Sequence, residues 1–595
     1  MDLTNSLAEY VCLTKLSSLP RARFIQTFYE TNCKLNCPSN FIPSKFHQKL
    51  NESNGNQLWK KAIDTELNQI DEFGTFQDEG KGTRPPGYKK IRYHIVFDVK
   101  HDFRRKARLV ANGNLTDMPL ESVYSSVVSL RGLRLCLFLG ELNKLETWGT
   151  DIGNAYLEAY TDEKVYVVAG DEFGERAGHR LIIRKALYGL KSSGLRWWER
   201  LSGVLQEMGF IPSRAENDIW MKDMGTHYDY IARYVDDLCI VSKDPGEIIK
   251  KLEDDYMFKL KGTGPIDYHL GANFFRDAEG TLCMAPKKYI DRMVESYERL
   301  FGTKPKAIYS SPLEKGDHPE LDTTEELDAD GIKKYQSMIG AAQWLVTLGR
   351  LDIATAVMTM SSYRTAPRKG HLDRLKRIYG YVSKMKHGTV RFRTEEPDYS
   401  ALPKVEYDWE KTVYNGSKEV IANDLPPIRG KEVVTTTYVD ANLVHDMTTG
   451  KSVTGVVHFV NKTIIHSYTK KQPLVESATY GSEFMAARTA TEQIIELRAT
   501  LRYLGVGIKS RAYLFGDNKT VVDSGTIPSN KLNKRHVIVS YHRVREAIAV
   551  KIMYFLHIPG SINPADILSK TWGYSDVWSR LKALLFWEGD TMDIE

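Results

Sequence analysis

The apolar runs at 228–234 and 238–242 are short and rich in aromatic and β-branched residues. They predict the two arms of a β-hairpin, with the pair Asp236-Asp237 at or beside the turn. Further upstream, 59–73 is helix-like. From Val433 the pattern changes to three strand-like runs, 433–440, 452–460 and 463–469. A long helical run then begins near Ser477, with Phe484, Ala487, Ile494, Leu497, Leu501 and Leu504 at spacings compatible with one face and Gly505 as its stop. Runs at 511–515 and 551–558 predict a fourth and a fifth strand, so the last third reads as a mixed α/β domain. Between these regions, 394–431 is rich in Pro, Asp, Glu and Lys and is the best candidate for a linker.

The acidic positions change this picture from architecture to chemistry. Two carboxylates about 4 Å apart repel by roughly 4 kcal/mol at an effective dielectric near 20, so a fold that forces them together generally supplies a cation. Magnesium, which prefers carboxylate, water and phosphate oxygens, suits such a pair and a nucleotide substrate. An acidic turn with both side chains in water is the competing reading of Asp236 and Asp237. A third carboxylate, Asp151, lies just after a predicted strand end in Thr150-Asp151-Ile152-Gly153-Asn154-Ala155-Tyr156.

Asp151 with Asn154-Ala155-Tyr156 resembles motif A of reverse transcriptases, and Tyr234-Val235-Asp236-Asp237-Leu238 resembles their motif C. Four further blocks are similar to the polymerases of copia-type (Pseudoviridae) LTR retrotransposons. They are Leu58-Trp59-Lys60-Lys61-Ala62, Lys106-Ala107-Arg108-Leu109-Val110-Ala111-Asn112-Gly113, Leu187-Tyr188-Gly189-Leu190-Lys191-Ser192-Ser193 followed by Trp197, and Tyr335-Gln336-Ser337-Met338-Ile339-Gly340 with Arg350-Leu351-Asp352. The resemblance implies a right-hand polymerase of fingers, palm and thumb, in which Asp151, Asp236 and Asp237 hold two magnesium ions. One ion would activate the primer 3′-hydroxyl and the other would stabilise the leaving pyrophosphate. It implies that Tyr156 lies under the incoming sugar and excludes a 2′-hydroxyl, and that Lys106 and Arg108 grip the triphosphate. In one place the chain departs from the family: Ser192 stands where Gln is usual after Leu-Lys, a shorter side chain with less reach towards a nucleotide.

Asp440, Glu483, Asp517 and Asp566 fall where the elements of the last third begin or end. Taken singly, each reads as a surface carboxylate. In this order, within Tyr438-Val439-Asp440-Ala441-Asn442, Ser482-Glu483-Phe484, Gly516-Asp517-Asn518 and Asn563-Pro564-Ala565-Asp566-Ile567-Leu568-Ser569-Lys570, they resemble the acidic set of copia-type RNase H. That implies two more magnesium ions, with manganese as a substitute, and hydrolysis of the RNA strand of an RNA:DNA hybrid; the 2′-hydroxyl of that strand is what spares the DNA. Many RNases H carry a histidine in the loop before the last aspartate. Here the loop is Pro559-Gly560-Ser561-Ile562, and His557 belongs to the preceding strand.

At 595 residues the chain holds several cores. The expected fold class is α/β (α+β) and multidomain: a poorly ordered lead-in at 1–55, fingers and palm at 56–265, thumb and connection at 266–395, a linker at 396–431, RNase H at 432–572 and a tail at 573–595. The net charge of +6 is mild, so nucleic acid would be bound in local grooves, for which 89–108, 364–386 and 531–545 are candidates. The six cysteines are scattered and no secretory signal precedes them, which suits reduced thiols inside a cell. Cys33, Cys37 and His47 do not match the spacing of a zinc site. No apolar run approaches the roughly 20 residues needed to span a membrane.

By the resemblance, the partners are an RNA template, a DNA primer, the RNA:DNA hybrid and deoxynucleoside triphosphates, with a second copy of the chain (a homodimer) or an integrase as protein partners. Cytoplasmic virus-like particles and the nucleus are the expected places of action. A catalytically inactive retrotransposon relic that only binds nucleic acid is the alternative.

Overall fold

The computed structural model describes residues 57–99, 104–117, 122–532 and 534–586. The lead-in expected at 1–55, with Cys12, Cys33 and Cys37, lies outside the described residues. The chain divides into two compact units: residues 1–127, 151–210 and 249–261 form the first, and 128–150, 211–248 and 262–595 the second.

In the first unit, the helix Leu58–Glu72 buries Trp59, Ile63, Leu67 and Ile70. Their spacings of four, four and three make one apolar stripe. The stripe shares a core with Ala107, Leu109 and Ala111 of the strand Arg105–Ala111, which pairs antiparallel with Tyr93–Val99. A four-stranded sheet of Phe76–Asp78, Arg180–Ile183, Val165–Val168 and Lys89–Lys90 completes that core. The helix Ser193–Glu207 follows the Tyr188-Gly189-Leu190 segment.

In the second unit, Ile219–Asp223, Tyr228–Tyr234 and Asp237–Ser242 form successive antiparallel strands. Their apolar faces pack on the helix Leu130–Asn143, of which eleven residues from Leu130 to Leu142 are buried. The strand Glu146–Ile152 carries the chain into the first unit at Asp151. Helices Lys287–Phe301, Ala329–Thr347 and Lys369–Lys384 build a second core. There Arg350 and Asp352 form a fully buried pair, Nη2 to Oδ2 at 2.7 Å, and the Tyr381 hydroxyl donates to the same carboxylate at 2.9 Å.

The last part of this unit is a five-stranded sheet with helices. Its strands are β1 (Thr435–Asp446), β2 (Lys451–Val460), β3 (Thr463–Val475), β4 (Ala512–Gly516) and β5 (Met553–His557), in the order β3-β2-β1-β4-β5. The first three pair antiparallel, and β4 joins β1 and β5 in parallel. Helix α1 (Thr479–Tyr503) buries Phe484, Ala487, Ile494, Leu497 and Leu501, the face its spacing predicts. It is followed by α2 (Lys519–Thr526), α3 (Ile538–Ala549), the short α4 (Asp566–Ser569) and α5 (Tyr574–Leu584). Strands β1 and β3 each run six residues past their expected ends. The apolar pattern stops in β3, but the ladder continues, with Lys470 opposite Thr454 and Lys471 opposite Val453.

Residues 396–431 carry no helix or strand, yet they are fastened to this sheet and its helices. Glu396 pairs with Lys509, Glu406 with Arg511 and Glu419 with Arg502, while Tyr399 packs on Tyr513 and Phe515. Among the described residues, no helix is long and apolar enough to cross a membrane.

Candidate active site

Three of the carboxylates singled out in the last third converge in the second unit. Asp440 lies in the middle of β1, Glu483 near the start of α1 and Asp517 just past the end of β4. One oxygen from each lies within 4.8 Å of the other two. Asp440 is 1 % exposed and Glu483 7 %. Burial raises the Asp440 carboxyl to about 6, with Asp566 and Asp517 adding to the rise and Lys570 and Ser569 opposing it. Burial, then the charges of Asp440 and Asp517, push Glu483 well above its ordinary range as well.

Asp566 opens α4, and α4 approaches the sheet very closely. Opposite Asp440 in the ladder is Gly455, where an added Cβ would meet the Ala565 carbonyl oxygen at 2.7 Å and the Leu568 carbonyl carbon at 2.8 Å. Both are backbone atoms, so any side chain at Gly455 would displace α4. The buried Asn563 ties the preceding turn to β1, donating from Nδ2 to the Val439 carbonyl at 3.0 Å and accepting from the Ala565 amide at 3.1 Å.

Lys570 bridges the two sides of the cluster. Its Nζ lies 3.2 Å from Asp440 Oδ2 and also bonds Asp566 Oδ1. Burial alone would lower this ammonium, but Asp440 and Asp566 outweigh it and hold Lys570 charged. Ser569 donates its hydroxyl to Asp440, and Arg580 from α5 bonds Asp566 Oδ2 at 2.7 Å. Sequence reasoning gave no role to Lys570, Ser569, Asn563 or Arg580. The spacing Asp566 to Lys570, i to i+4, was the available signal for the first of these; Arg580, 14 residues from Asp566, has no local signature. His557, on β5, sits against the Asp517 carbonyl at 3.1 Å from Nε2.

The donor set is all oxygen, buried and mutually repelling, which is the chemistry a magnesium ion takes. A divalent cation there would offset the cost of burying these charges, which holds Asp440 and Glu483 up, and the repulsion that adds to it.

The polymerase-type residues fall in both units. In the second, Tyr234 pairs with Asp237 across a two-residue turn, so Asp236 lies in the turn and Asp237 opens the next strand. Val235 takes φ of +60° in that turn. Hairpins of two-residue loops require a positive φ at this position, which glycine adopts freely and a β-branched residue adopts only with strain. Directly before the turn, Arg233 is clamped to Asp218, Nε to Oδ1 at 2.9 Å, with both side chains buried.

In the first unit, Asp151 stands near the end of its strand and Tyr156 in the 3-10 turn Ala155–Glu158. The Tyr156 ring meets that of Tyr188 at 5.0 Å, and the Arg108 guanidinium lies 5.2 Å from the Tyr188 ring centre. Arg108 Nε is buried and has no hydrogen-bond partner among the described residues. Lys106 and Arg108 share a strand and flank Glu66, whose carboxylate accepts from the Leu109 amide at 3.1 Å. Ser192 is 3 % exposed, and both its amide and its hydroxyl donate to Glu163 Oε1, at 3.0 and 2.6 Å.

Residues 79–311 match the family described as reverse transcriptase (RNA-dependent DNA polymerase). The retrovirus-related Pol polyprotein from transposon TNT 1-94 of Nicotiana tabacum is 26% identical over 550 residues, which is 89% of this chain and 38% of that protein. The Pol polyprotein from transposon RE1 of Arabidopsis thaliana is 22% identical over 524 residues, 86% of this chain and 33% of its own length. The chain thus spans about a third of these relatives. Among solved structures, the foamy viral protease-reverse transcriptase in complex with double-stranded DNA is 11% identical with a TM-score of 0.44, over 84% of this chain and 70% of that one. The chain carries a reverse transcriptase domain and is related to the Pol polyproteins of copia-type LTR retrotransposons.

Proposed function

We propose that this chain is an RNA-directed DNA polymerase that also hydrolyses the RNA of an RNA:DNA hybrid, copying retrotransposon RNA into DNA and clearing the template. The observation that carries the nuclease half is the convergence of Asp440, Glu483 and Asp517 from three separate elements. The polymerase half is supported by the family match over 79–311, which includes Asp151, Asp236 and Asp237.

In this reading, Asp151, Asp236 and Asp237 hold two magnesium ions, and Asp440, Glu483, Asp517 and Asp566 hold two more, with manganese as a substitute. Bound magnesium supplies positive charge at the oxygens where negative charge builds up during phosphoryl transfer. The protein's own part is to hold the carboxylates in place and to position the strands. In the same reading Tyr156 is the floor under the incoming sugar, supported by its contact with Tyr188, and Arg108 with Lys106 grips the phosphates. Ser192 would have to release Glu163 before it could reach a nucleotide. The fingers and palm would lie at 56–265, thumb and connection at 266–395, and RNase H at 432–572. Template RNA, primer DNA and deoxynucleoside triphosphates are the proposed partners, with a second copy or an integrase as protein partners and cytoplasmic particles and the nucleus as the places of action.

The test is magnesium-dependent primer extension on an RNA template with both strands labelled. Asp236→Asn/Asp237→Asn should lower extension on the order of a thousandfold while template cleavage continues, and Asp440→Asn should do the reverse. A folded wild-type chain with neither activity would instead support the binding-only relic.

A further inference from the structure

Arg580 lies on α5, beyond the last of the seven carboxylates, and its side chain is 12% exposed. Its Nη1 reaches three acceptors on one turn: Asp566 Oδ2 at 2.7 Å and the carbonyls of Gly560 and Asn563, both at 3.1 Å. Its Nη2 donates to the Asp576 carbonyl at 3.0 Å, which fixes the guanidinium to its own helix. That helix is itself anchored, with Val577, Leu581, Leu585 and Phe586 in the core built by the helices at 329–347 and 369–384. The Phe586 ring also covers Arg350, 5.6 Å from its guanidinium carbon. The turn 560–566 is thus held from two sides, by the bond from its own Asn563 to Val439 of β1 and by Arg580 of α5.

We propose that Arg580 is a positioning residue for hybrid cleavage, fixing the turn that presents Asp566 to the other three carboxylates. The proposal rests on the nuclease reading above. A planar guanidinium makes charge-assisted hydrogen bonds of defined direction, which an ammonium does not. With Oδ2 held by Arg580 and Oδ1 bonded to Lys570, the rotation of the Asp566 carboxylate is set, and so is the side from which Asp566 approaches a metal ion. Removing a partner that orients a ligating carboxylate typically weakens metal affinity or activity by roughly 10- to 100-fold.

The experiment uses the full chain as wild type, Arg580→Ala, Arg580→Lys and Asp440→Asn. Hybrid cleavage is followed against magnesium concentration, with primer extension by the same preparations as reference. Manganese binding is measured calorimetrically in an Asp236→Asn/Asp237→Asn background, so that the heat reports the nuclease site. Arg580→Ala should raise the half-saturating magnesium concentration by roughly 10- to 100-fold, weaken manganese binding in parallel and leave extension unchanged. Arg580→Lys should recover part of both losses. Unchanged magnesium dependence and manganese binding would overturn the proposal, as would equal losses of extension and cleavage. If Arg580→Ala does not fold, Arg580→Lys decides on the same two readouts. A wild type that does not cut hybrid, or an Asp440→Asn variant that cuts at the wild-type rate, would overturn the nuclease reading itself.

Discussion

Asp236 and Asp237 are neighbours in the chain, brought to a turn by two strands adjacent in sequence that pair with each other, and both stay half-buried. Asp440, Glu483 and Asp517 come from a strand, a helix and a strand end that meet only when the sheet and α1 are packed, and Asp440 and Glu483 are buried. The first arrangement is enforced by local backbone geometry, with strain at Val235. The second is enforced by tertiary packing, and its cost appears in the burial of charge, with repulsion between the carboxylates added to it. A carboxylate site can thus be secured by a few residues or by a whole domain, and the two kinds should fail in different ways.

Gly455→Ala should show the largest effect. It removes no carboxylate but drives the backbone of α4, and Asp566 with it, away from the sheet. Hybrid cleavage should fall roughly a hundredfold, since a displacement of about 1 Å at a reacting centre costs that much, while primer extension by the same protein is unchanged. Equal cleavage by variant and wild type would show that the packing of α4 does not set the site.

The pH dependence comes next. The Asp440 carboxyl is raised in the folded chain from an ordinary value of 3.8 to about 6. Its contribution to stability is therefore fully present below about pH 4 and is lost as pH rises through 6. In metal-free buffer, the stability of wild type relative to Asp440→Asn should decline over that window by about 3 kcal/mol, read from denaturant unfolding at each pH. Magnesium should restore it. A flat difference across pH 4–7 would remove the electrostatic half of the comparison.

Val235→Gly should be the smallest change. Relief of the positive φ at a β-branched residue should stabilise the second unit by about 1 kcal/mol, seen as a higher unfolding midpoint. A drop in stability would mean that the valine side chain contributes more than its backbone costs.

Much of the fold was legible from the sequence because its signals are short-range. Aromatic and β-branched runs marked the hairpin, and the face of α1 followed from the spacing of Phe484 to Leu501. The order of acidic positions pointed to the cluster that the structure assembles from Asp440, Glu483 and Asp517. What escaped was long-range. The last six residues of β3 carry lysines and a proline rather than an apolar pattern, and only their partners on β2 make them a strand. Nothing near Ser192 announces that Glu163 will take its hydroxyl, and nothing near Arg580 announces that it will hold Asp566. The segment 396–431 reads as a tether by composition, yet three of its carboxylates, Glu396, Glu406 and Glu419, pair with Lys509, Arg511 and Arg502.

The far end of α1 is buried in the core beneath the hairpin. Leu497, Leu501 and Leu504 share that core with Tyr230, Cys239 and Val241, and the Tyr230 hydroxyl donates to the Leu504 carbonyl at 2.8 Å. The helix that carries Glu483 at one end is thus rooted at its other end in the hairpin that carries Asp236 and Asp237. Under the proposed function of extending a primer at one point and cutting the template at another, this rod would act as a ruler. RNA cut behind a stalled primer should end at one fixed distance from the growing tip, giving a single sharp product in place of a ladder.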